Sequence, residues 1–123
     1  MRAAVYEQFR GAISIVEVPD PTPSPGEVVV RVLAVGLCRS DYHGWHGTDP
    51  DIVCPHVGGH EFVGLVVGVG AGVARIREGD RVVAPFVCGC GSCEPCLLGQ
   101  HQVCRRQEQP GFTRWGAFAQ YTT

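Results

Sequence analysis

Four cysteines in the second half of the chain have the spacing of metal ligands. They follow the pattern C-x2-C-x2-C-x7-C and stand at Cys90, Cys93, Cys96 and Cys104. Two intervening residues let neighbouring thiolates point at one ion, and four thiolates suit tetrahedral zinc. Because four protein ligands leave no open position, the pattern predicts a structural zinc. Free or disulfide-paired thiols are the alternative, but an odd total of seven cysteines without an export signal fits metal-bound thiolates better.

A second candidate group combines a cysteine and a histidine from two separate segments. Cys38 belongs to the segment Cys38-Arg39-Ser40-Asp41-Tyr42-His43, and His60 to Gly59-His60-Glu61. Each segment alone is a weak signal, because a lone cysteine or histidine is more often a packed core residue. Together they offer one thiolate and one imidazole, with Asp41 and Glu61 near enough in sequence to orient them.

The remaining cysteines receive a plainer interpretation. Cys54 is expected to be a small buried apolar side chain. Cys88 is expected to be a spare thiol just outside the four-cysteine set, although a tighter C-x-C pairing that begins at Cys88 is possible.

The elements that position these residues are predicted to be mainly strands, because the apolar segments are short and bounded by Gly, Pro and Asp. One short helix is expected over 40–46, with Ser40 or Asp41 as its N-cap. The four prolines within 19–26 predict an extended surface loop inside one domain. The predicted strands are Arg2 to Tyr6, Ala12 to Val18, Glu27 to Val35, Glu61 to Val69, Arg81 to Phe86 and Ala117 to Tyr121.

Composition narrows the class of protein. A chain of 123 residues with 45% hydrophobic residues fits one folded domain. A formal charge of -2 gives no electrostatic footprint for nucleic acid, and the absence of lysine excludes lysine-dependent chemistry. The longest apolar run, 62–74, is too short to span a bilayer, and the first residues lack a secretory signal. We therefore expect a cytoplasmic protein that binds neither nucleic acid nor membrane.

The motifs taken together resemble the zinc-dependent medium-chain alcohol dehydrogenases over essentially the whole chain. Cys38, Ser40, Asp41 and His43 match the C-x-[ST]-D-x-H element, and the four-cysteine lobe and the turn 79–82 follow in the expected order. The signature G-H-E-x2-G-x5-[GA]-x2-[small or aliphatic] is matched by Gly59, His60, Glu61, Gly64, Gly70 and Val73. The resemblance implies a mainly β, GroES-like fold: a partly open twisted β-barrel with a short helix and a zinc lobe over about 88–104.

The resemblance also implies a second zinc, which is catalytic. Cys38 and His60 match two of its ligands, and its open position would take water or an alcohol. Asp41 matches the carboxylate that accepts a hydrogen bond from the ligand imidazole, and Glu61 matches an acid that approaches the ion. Ser40 and His43 match a relay that removes the hydroxyl proton while hydride passes to a nicotinamide cofactor; the pKa range of histidine suits that role.

Contacts to cofactor and substrate are implied in the same way. Arg39 resembles a contact to the cofactor pyrophosphate, and His43 lies on the ribose side of the relay. Ser40 faces the substrate hydroxyl, and Trp45 is compatible with lining the alcohol pocket. An isolated tryptophan is equally a core residue.

Enzymes of this family continue into a Rossmann domain that the 123 residues do not contain. A returning segment then completes the catalytic half of such enzymes, and the third catalytic-zinc ligand and the residue that selects NAD or NADP would lie in this continuation. The glycines of 68–72 lack the following helix of a dinucleotide site. We therefore expect residues 1–123 to be the GroES-like portion of an enzyme that oxidises primary or secondary alcohols to aldehydes or ketones. The lone chain is expected to be inactive, and the full-length enzyme to be a homo-oligomer.

Two alternatives come from other classes. A stand-alone zinc-binding or partner-binding module would not need the set Cys38, Ser40, His43 and His60, which is intact here. A thiol redox protein using Cys93 and Cys96 would need a thioredoxin-like βαβ pattern, which the sequence lacks.

Overall fold

The computed structural model describes all residues from Met1 to Thr123. Six strands and two α-helices follow one another along the chain, and a short 3-10 helix occupies His101–Val103. These elements are β1 (Arg2–Tyr6), β2 (Ile13–Glu17), β3 (Val28–Gly36), α1 (Arg39–His46), β4 (Glu61–Val69), β5 (Arg81–Val83), α2 (Glu94–Leu97) and β6 (Tyr121–Thr122).

The strands form two sheets that do not close into a complete barrel. β1 and β2 make an antiparallel pair, and the larger sheet has the order β5-β4-β3-β6. Its centre is the long antiparallel pair β3–β4, whose register shifts twice. This mainly β, partly open architecture with one short helix and a cysteine-rich lobe confirms the predicted fold class.

Gly64 shows why the central pair needs glycine at one point. A Cβ at this position would clash with the carbonyl oxygen of Arg31 and with a methyl carbon of Val30. Only a residue without a side chain lets β3 and β4 approach so closely. The glycine of the G-H-E-x2-G motif therefore has a structural reason in this sheet.

The core consists of small clusters rather than one large one. Ala3, Val5 and Val57 form the first, and Tyr6, Ile52 and Phe112 form the second. Val30, Phe62 and Ala117 form the third, between the larger sheet and the chain's last segment. Phe112 of the second cluster packs against the ring of His60, and Phe62 of the third cluster lies two residues after it, so both clusters help to hold that segment.

Several predicted boundaries were wrong. β5 ends at Val83 rather than Phe86, where Pro85 supplies no backbone donor. The segment predicted as a strand over 117–121 pairs as β6 only at Tyr121–Thr122, because Ala117 and Phe118 donate instead to the carbonyls of Gly59 and Gly58.

The helices differ from the prediction in two ways. α1 begins at Arg39 with Cys38 as its N-cap, so neither Ser40 nor Asp41 is the N-cap residue. Asp41 instead lies in the first turn and accepts the backbone N–H of Cys38, as the third helical residue of a capping box. α2 was not predicted; it is a single turn with proline near its start, too short to show helical periodicity. The longest helix has eight residues, and no helix is long and apolar enough to cross a membrane.

Two candidate metal centres

The structure brings the four predicted cysteines of the lobe together. The sulfurs of Cys90, Cys93, Cys96 and Cys104 all lie within 4.8 Å of one another. Cys93 Sγ and Cys104 Sγ are 3.7 Å apart, close to the ~3.8 Å edge of a tetrahedron with Zn–S bonds of about 2.3 Å. The donor set and its spacing therefore fit a tetrahedral zinc ion.

Local backbone geometry places these sulfurs. Cys93 is the N-cap of α2, and Cys96 lies in its single turn. The backbone N–H groups of Cys90 and Arg106 donate to Cys104 Sγ, at 3.4 and 3.3 Å. Such donors disperse the negative charge of a thiolate.

The thiols have unequal acidity before any metal binds. Backbone N–H donors from Ser92 and Cys93 lower the pKa of Cys90 to about 5. Burial raises the pKa of Cys96 well above its ordinary value. Because a thiol must lose its proton to bind zinc, loading of the site releases the proton of Cys96.

The second group also converges. One ligand atom each from Cys38, His60 and Glu61 lies within 4.8 Å of the others. Cys38 directly precedes α1, and His60 directly precedes Glu61, the first residue of β4, so the group joins the helix entrance to one end of an inner strand of the larger sheet. A thiolate, an imidazole and a carboxylate are ligands that zinc accepts, and three of them leave a position open.

Asp41 fixes this geometry through three hydrogen bonds. Its Oδ1 lies 3.3 Å from Nδ1 of His60 and accepts the backbone N–H of Gly59 at 2.9 Å. Its Oδ2 accepts the backbone N–H of Cys38 at 2.8 Å. One buried carboxylate therefore holds both segments and leaves Nε2 of His60 available to a metal ion.

Gly59 lets the chain turn into the site. Its φ is +94°, and a Cβ there would lie 2.7 Å from the backbone nitrogen of Phe118.

The ring of His60 is enclosed by Phe86 and Phe112, with centroids 5.2 and 5.1 Å away. The two phenylalanines were not predicted as site residues, since only the fold brings them to the imidazole.

A cavity of about 790 Å³ opens beside this second group. Cys38, Ser40, His60 and Glu61 line it together with apolar residues of β3, β4 and the segment after β5. Ser40 Oγ lies 3.8 Å from Cys38 Sγ. Glu61 is the exposed member of the group, and its Oε1 is 3.8 Å from Nε2 of His60.

Other predicted site residues lie outside this cavity. His43 is exposed on α1, one helical turn after Ser40. The guanidinium of Arg39 lies 4.7 Å above the ring of Tyr42. Trp45 packs against the cluster of Tyr6, Ile52 and Phe112, and its indole N–H donates to the carbonyl of Gly11 at 2.8 Å. Its contact with a substrate stays a prediction.

Cys54 and Cys88 lie apart from both metal groups. Cys54 is half-buried against the cluster that contains Tyr6, and burial raises its pKa. Cys88 is half-buried, and its backbone N–H and carbonyl both form hydrogen bonds with the backbone of Glu108. His56, to which no role was assigned, is buried with its Nε2 2.9 Å from the carbonyl oxygen of Gly111, and burial lowers its pKa.

Comparison with known proteins finds relatives across the chain. Residues 24–123 match the family described as alcohol dehydrogenase GroES-like domain. An alcohol dehydrogenase of Geobacillus stearothermophilus is 43% identical over 98% of the chain and 36% of its own length. An L-threonine 3-dehydrogenase of Streptomyces coelicolor is 41% identical over the same shares. The chain thus spans about a third of the length of these curated relatives.

Solved structures give the same result. A thermostable alcohol dehydrogenase from Pyrobaculum aerophilum, solved with cobalt and zinc bound, aligns with a TM-score of 0.89 at 35% identity over 99% of this chain and 38% of its own. A structure described as an NAD-dependent alcohol dehydrogenase aligns with a TM-score of 0.87 at 37% identity, over 99% and 36% of the two chains.

Proposed function

Because the chain belongs to the family of the alcohol dehydrogenase GroES-like domain, we propose that it is the zinc-binding catalytic domain of an enzyme that oxidises primary or secondary alcohols with NAD or NADP. The observation that carries the proposal is the convergence of Cys38, His60 and Glu61 beside a cavity that Ser40 also lines. A structural site has no need of an adjacent cavity or of an open ligand position.

Residues 1–123 would form one domain with two zinc sites of different kind. The four sulfurs of the lobe supply a closed ligand set, and their ion would stabilise the loop of 88–104. Cys96 and Cys104 are the only buried residues in that loop, so it has almost no hydrophobic core of its own. The metal would therefore contribute much of the stability of the lobe.

At the second site, Cys38, His60 and Glu61 would hold the ion. When bound, zinc lowers the pKa of a hydroxyl group in its open position towards neutrality. The chain's own residues would prepare that position: Asp41 orients the imidazole, and apolar residues line one side of the open cleft beside it.

Ser40 and His43 would carry the released proton. Ser40 Oγ lies inside the cavity beside Cys38 Sγ, so its hydroxyl can accept a proton from a substrate hydroxyl and donate its own onward. His43 follows one turn later on the solvent side of α1, where an imidazole can pass the proton to bulk water.

The nicotinamide cofactor would be held mainly by residues that the 123 described here do not include. Every pairing between the six strands is antiparallel, so these residues form no parallel βαβ unit of a dinucleotide site. Arg39 is exposed near the second site and would contact the pyrophosphate. We propose that residues 1–123 alone bind zinc without turning over alcohol.

Substitution of cobalt for zinc tests the proposed open site. Visible spectra of the cobalt-loaded chain would be recorded before and after addition of trifluoroethanol, an unreactive alcohol. Binding of the alcohol to an open position should change the d–d bands, and His60→Ala should abolish that change. An unaltered spectrum in the cobalt-loaded wild type would contradict an alcohol-binding site and favour a non-catalytic zinc module.

A further inference from the structure

The guanidinium group of Arg106 lies directly against one corner of the four-cysteine cluster. Its Nη2 is 3.2 Å from Cys90 Sγ and 2.8 Å from Ser92 Oγ. We propose that Arg106 is a positioning residue for this metal site, whose contact with Cys90 slows release of the bound ion. The inference rests on the proposed zinc occupancy of the lobe.

The contact compensates negative charge on the metal cluster. Four thiolates around one divalent cation leave a net negative charge on the cluster. The cationic guanidinium compensates part of it, and a hydrogen bond from an ionised donor to a thiolate is stronger than one between neutral groups. The Cys90 sulfur thus becomes a poorer base and loses its metal bond less readily.

Cys90 is one of the two accessible corners from which release can start. Cys96 and Cys104 are buried, whereas Cys90 and Cys93 are half-buried, and of these two only Cys90 contacts a cationic side chain. Cys90 also lines a groove of about 480 Å³ between the lobe and the larger sheet, through which a chelator can approach. Arg106 lines the same groove, so its guanidinium lies beside the sulfur where the groove reaches it.

A single residue joins two ligands that are distant in sequence. The backbone N–H of Arg106 donates to Cys104 Sγ at 3.3 Å, while its side chain reaches Cys90. Ser92 holds the guanidinium in place through the same Nη2 atom. Arg106 therefore fixes the relative positions of the first and last cysteines of the motif.

The neighbouring Arg105 provides a matched control. It carries the same charge one residue away, is exposed, and forms neither a hydrogen bond nor an ion pair. A general effect of removing positive charge from the lobe would appear equally in Arg105→Ala and Arg106→Ala. A specific effect of the sulfur contact would appear only in the latter.

The test measures zinc transfer from the loaded 123-residue chain to an excess of the chelator 4-(2-pyridylazo)resorcinol at fixed pH and salt. All variants carry His60→Ala, so that only the four-cysteine site is followed. We expect Arg106→Ala to release zinc about tenfold faster, which corresponds to the lower end of the loss of metal affinity when partners of metal ligands are removed. Arg106→Lys, which keeps the charge, should lie between, and Arg105→Ala should match its parent.

A spectroscopic measurement separates this role from general loosening of the lobe. With cobalt in the site, loss of the donor raises the energy of the Cys90 lone pairs, so the sulfur-to-cobalt charge-transfer band should move to longer wavelength in Arg106→Ala only. Equal release rates or identical bands for Arg105→Ala and Arg106→Ala would overturn the proposal. A parent protein that holds no zinc at the four cysteines would instead refute the proposed function of the lobe.

Discussion

Nδ1 of His60 lies 3.3 Å from Oδ1 of Asp41, and both side chains are almost fully removed from solvent. The contact fixes the imidazole ring with Nε2 directed to the side where Glu61 lies. Since the same carboxylate also accepts the backbone N–H of Cys38, it couples the two ligands of the second site.

Asp41→Asn should weaken metal binding at the second site. An amide has no charge to polarise the imidazole, and loss of such a partner lowers metal affinity by about 10- to 100-fold. Zinc titration followed by calorimetry would measure it, with Asp51→Asn, an exposed acid outside the site, as control. Unchanged affinity in Asp41→Asn would show that the contact does not support a metal ligand.

His60→Ala should remove one zinc ion and leave the other. The four sulfurs of the lobe share no ligand with the group of Cys38, His60 and Glu61. Metal analysis at saturating zinc should therefore find one ion fewer per chain than in the wild type, and no change in His46→Ala. Simultaneous loss of both ions would contradict two independent sites.

Cys96→Ser should destabilise the protein severely. Cys96 is the buried cysteine within α2, and a structural zinc site supplies roughly 10 to 16 kcal/mol of apparent binding free energy. Removing one of four ligands forfeits a large part of it. Thermal unfolding in the presence of zinc would be compared with that of Cys54→Ser, whose cysteine lies outside both clusters. An unchanged melting temperature would argue against a zinc-stabilised lobe.

The ion pairs of Arg114 with Glu27 and Glu108 should make the free energy of unfolding depend on pH. Arg114 donates to Glu27 at 2.8 Å and to Glu108 at 2.6 Å. Burial opposes ionisation of Glu27, but the backbone N–H of Ser24 and the Arg114 guanidinium outweigh it and hold the pKa of Glu27 below its ordinary 4.5. The contribution of Glu27 is therefore complete above about pH 4.5 and is lost as the pH falls through the lowered value.

Glu27→Gln should accordingly be less stable than the wild type at pH 7, by about 1.5 to 3 kcal/mol for a charged hydrogen bond. The two proteins should converge in acid. Urea unfolding at pH 7 and pH 3 would show this, with the unpaired exposed Glu78→Gln as control. An equal difference at both pH values would mean that ionisation of Glu27 does not stabilise the fold.

The sequence predicted the strands with strong local patterns and failed where pairing depends on distant segments. The limits of β1 and β4 agree with the prediction because turn residues bound each run. The segment 117–121 has strand-like residues, but its first two N–H groups bond to Gly58 and Gly59, far away in the chain. No local pattern could have indicated that competition.

The site residues, like the strands, were predicted where a local sequence pattern marks them and missed where the fold alone brings them together. Cysteine spacing indicated the four-sulfur group, and family motifs indicated Cys38 and His60, which the fold brings together. The enclosure of His60 by Phe86 and Phe112 and the contact of Arg106 with Cys90 depend on loop conformation. An arginine two residues after the last cysteine was the only available signal for the latter.

The zinc stoichiometry of the wild-type chain tests the central claim most directly. Native mass spectrometry would be recorded after dialysis under reducing conditions and again during titration with zinc. Two separate sites of unequal strength predict one ion retained through dialysis and a second that binds on titration. A chain that takes up no zinc at saturation would contradict both sites and leave a thiol-rich β domain without a metal function.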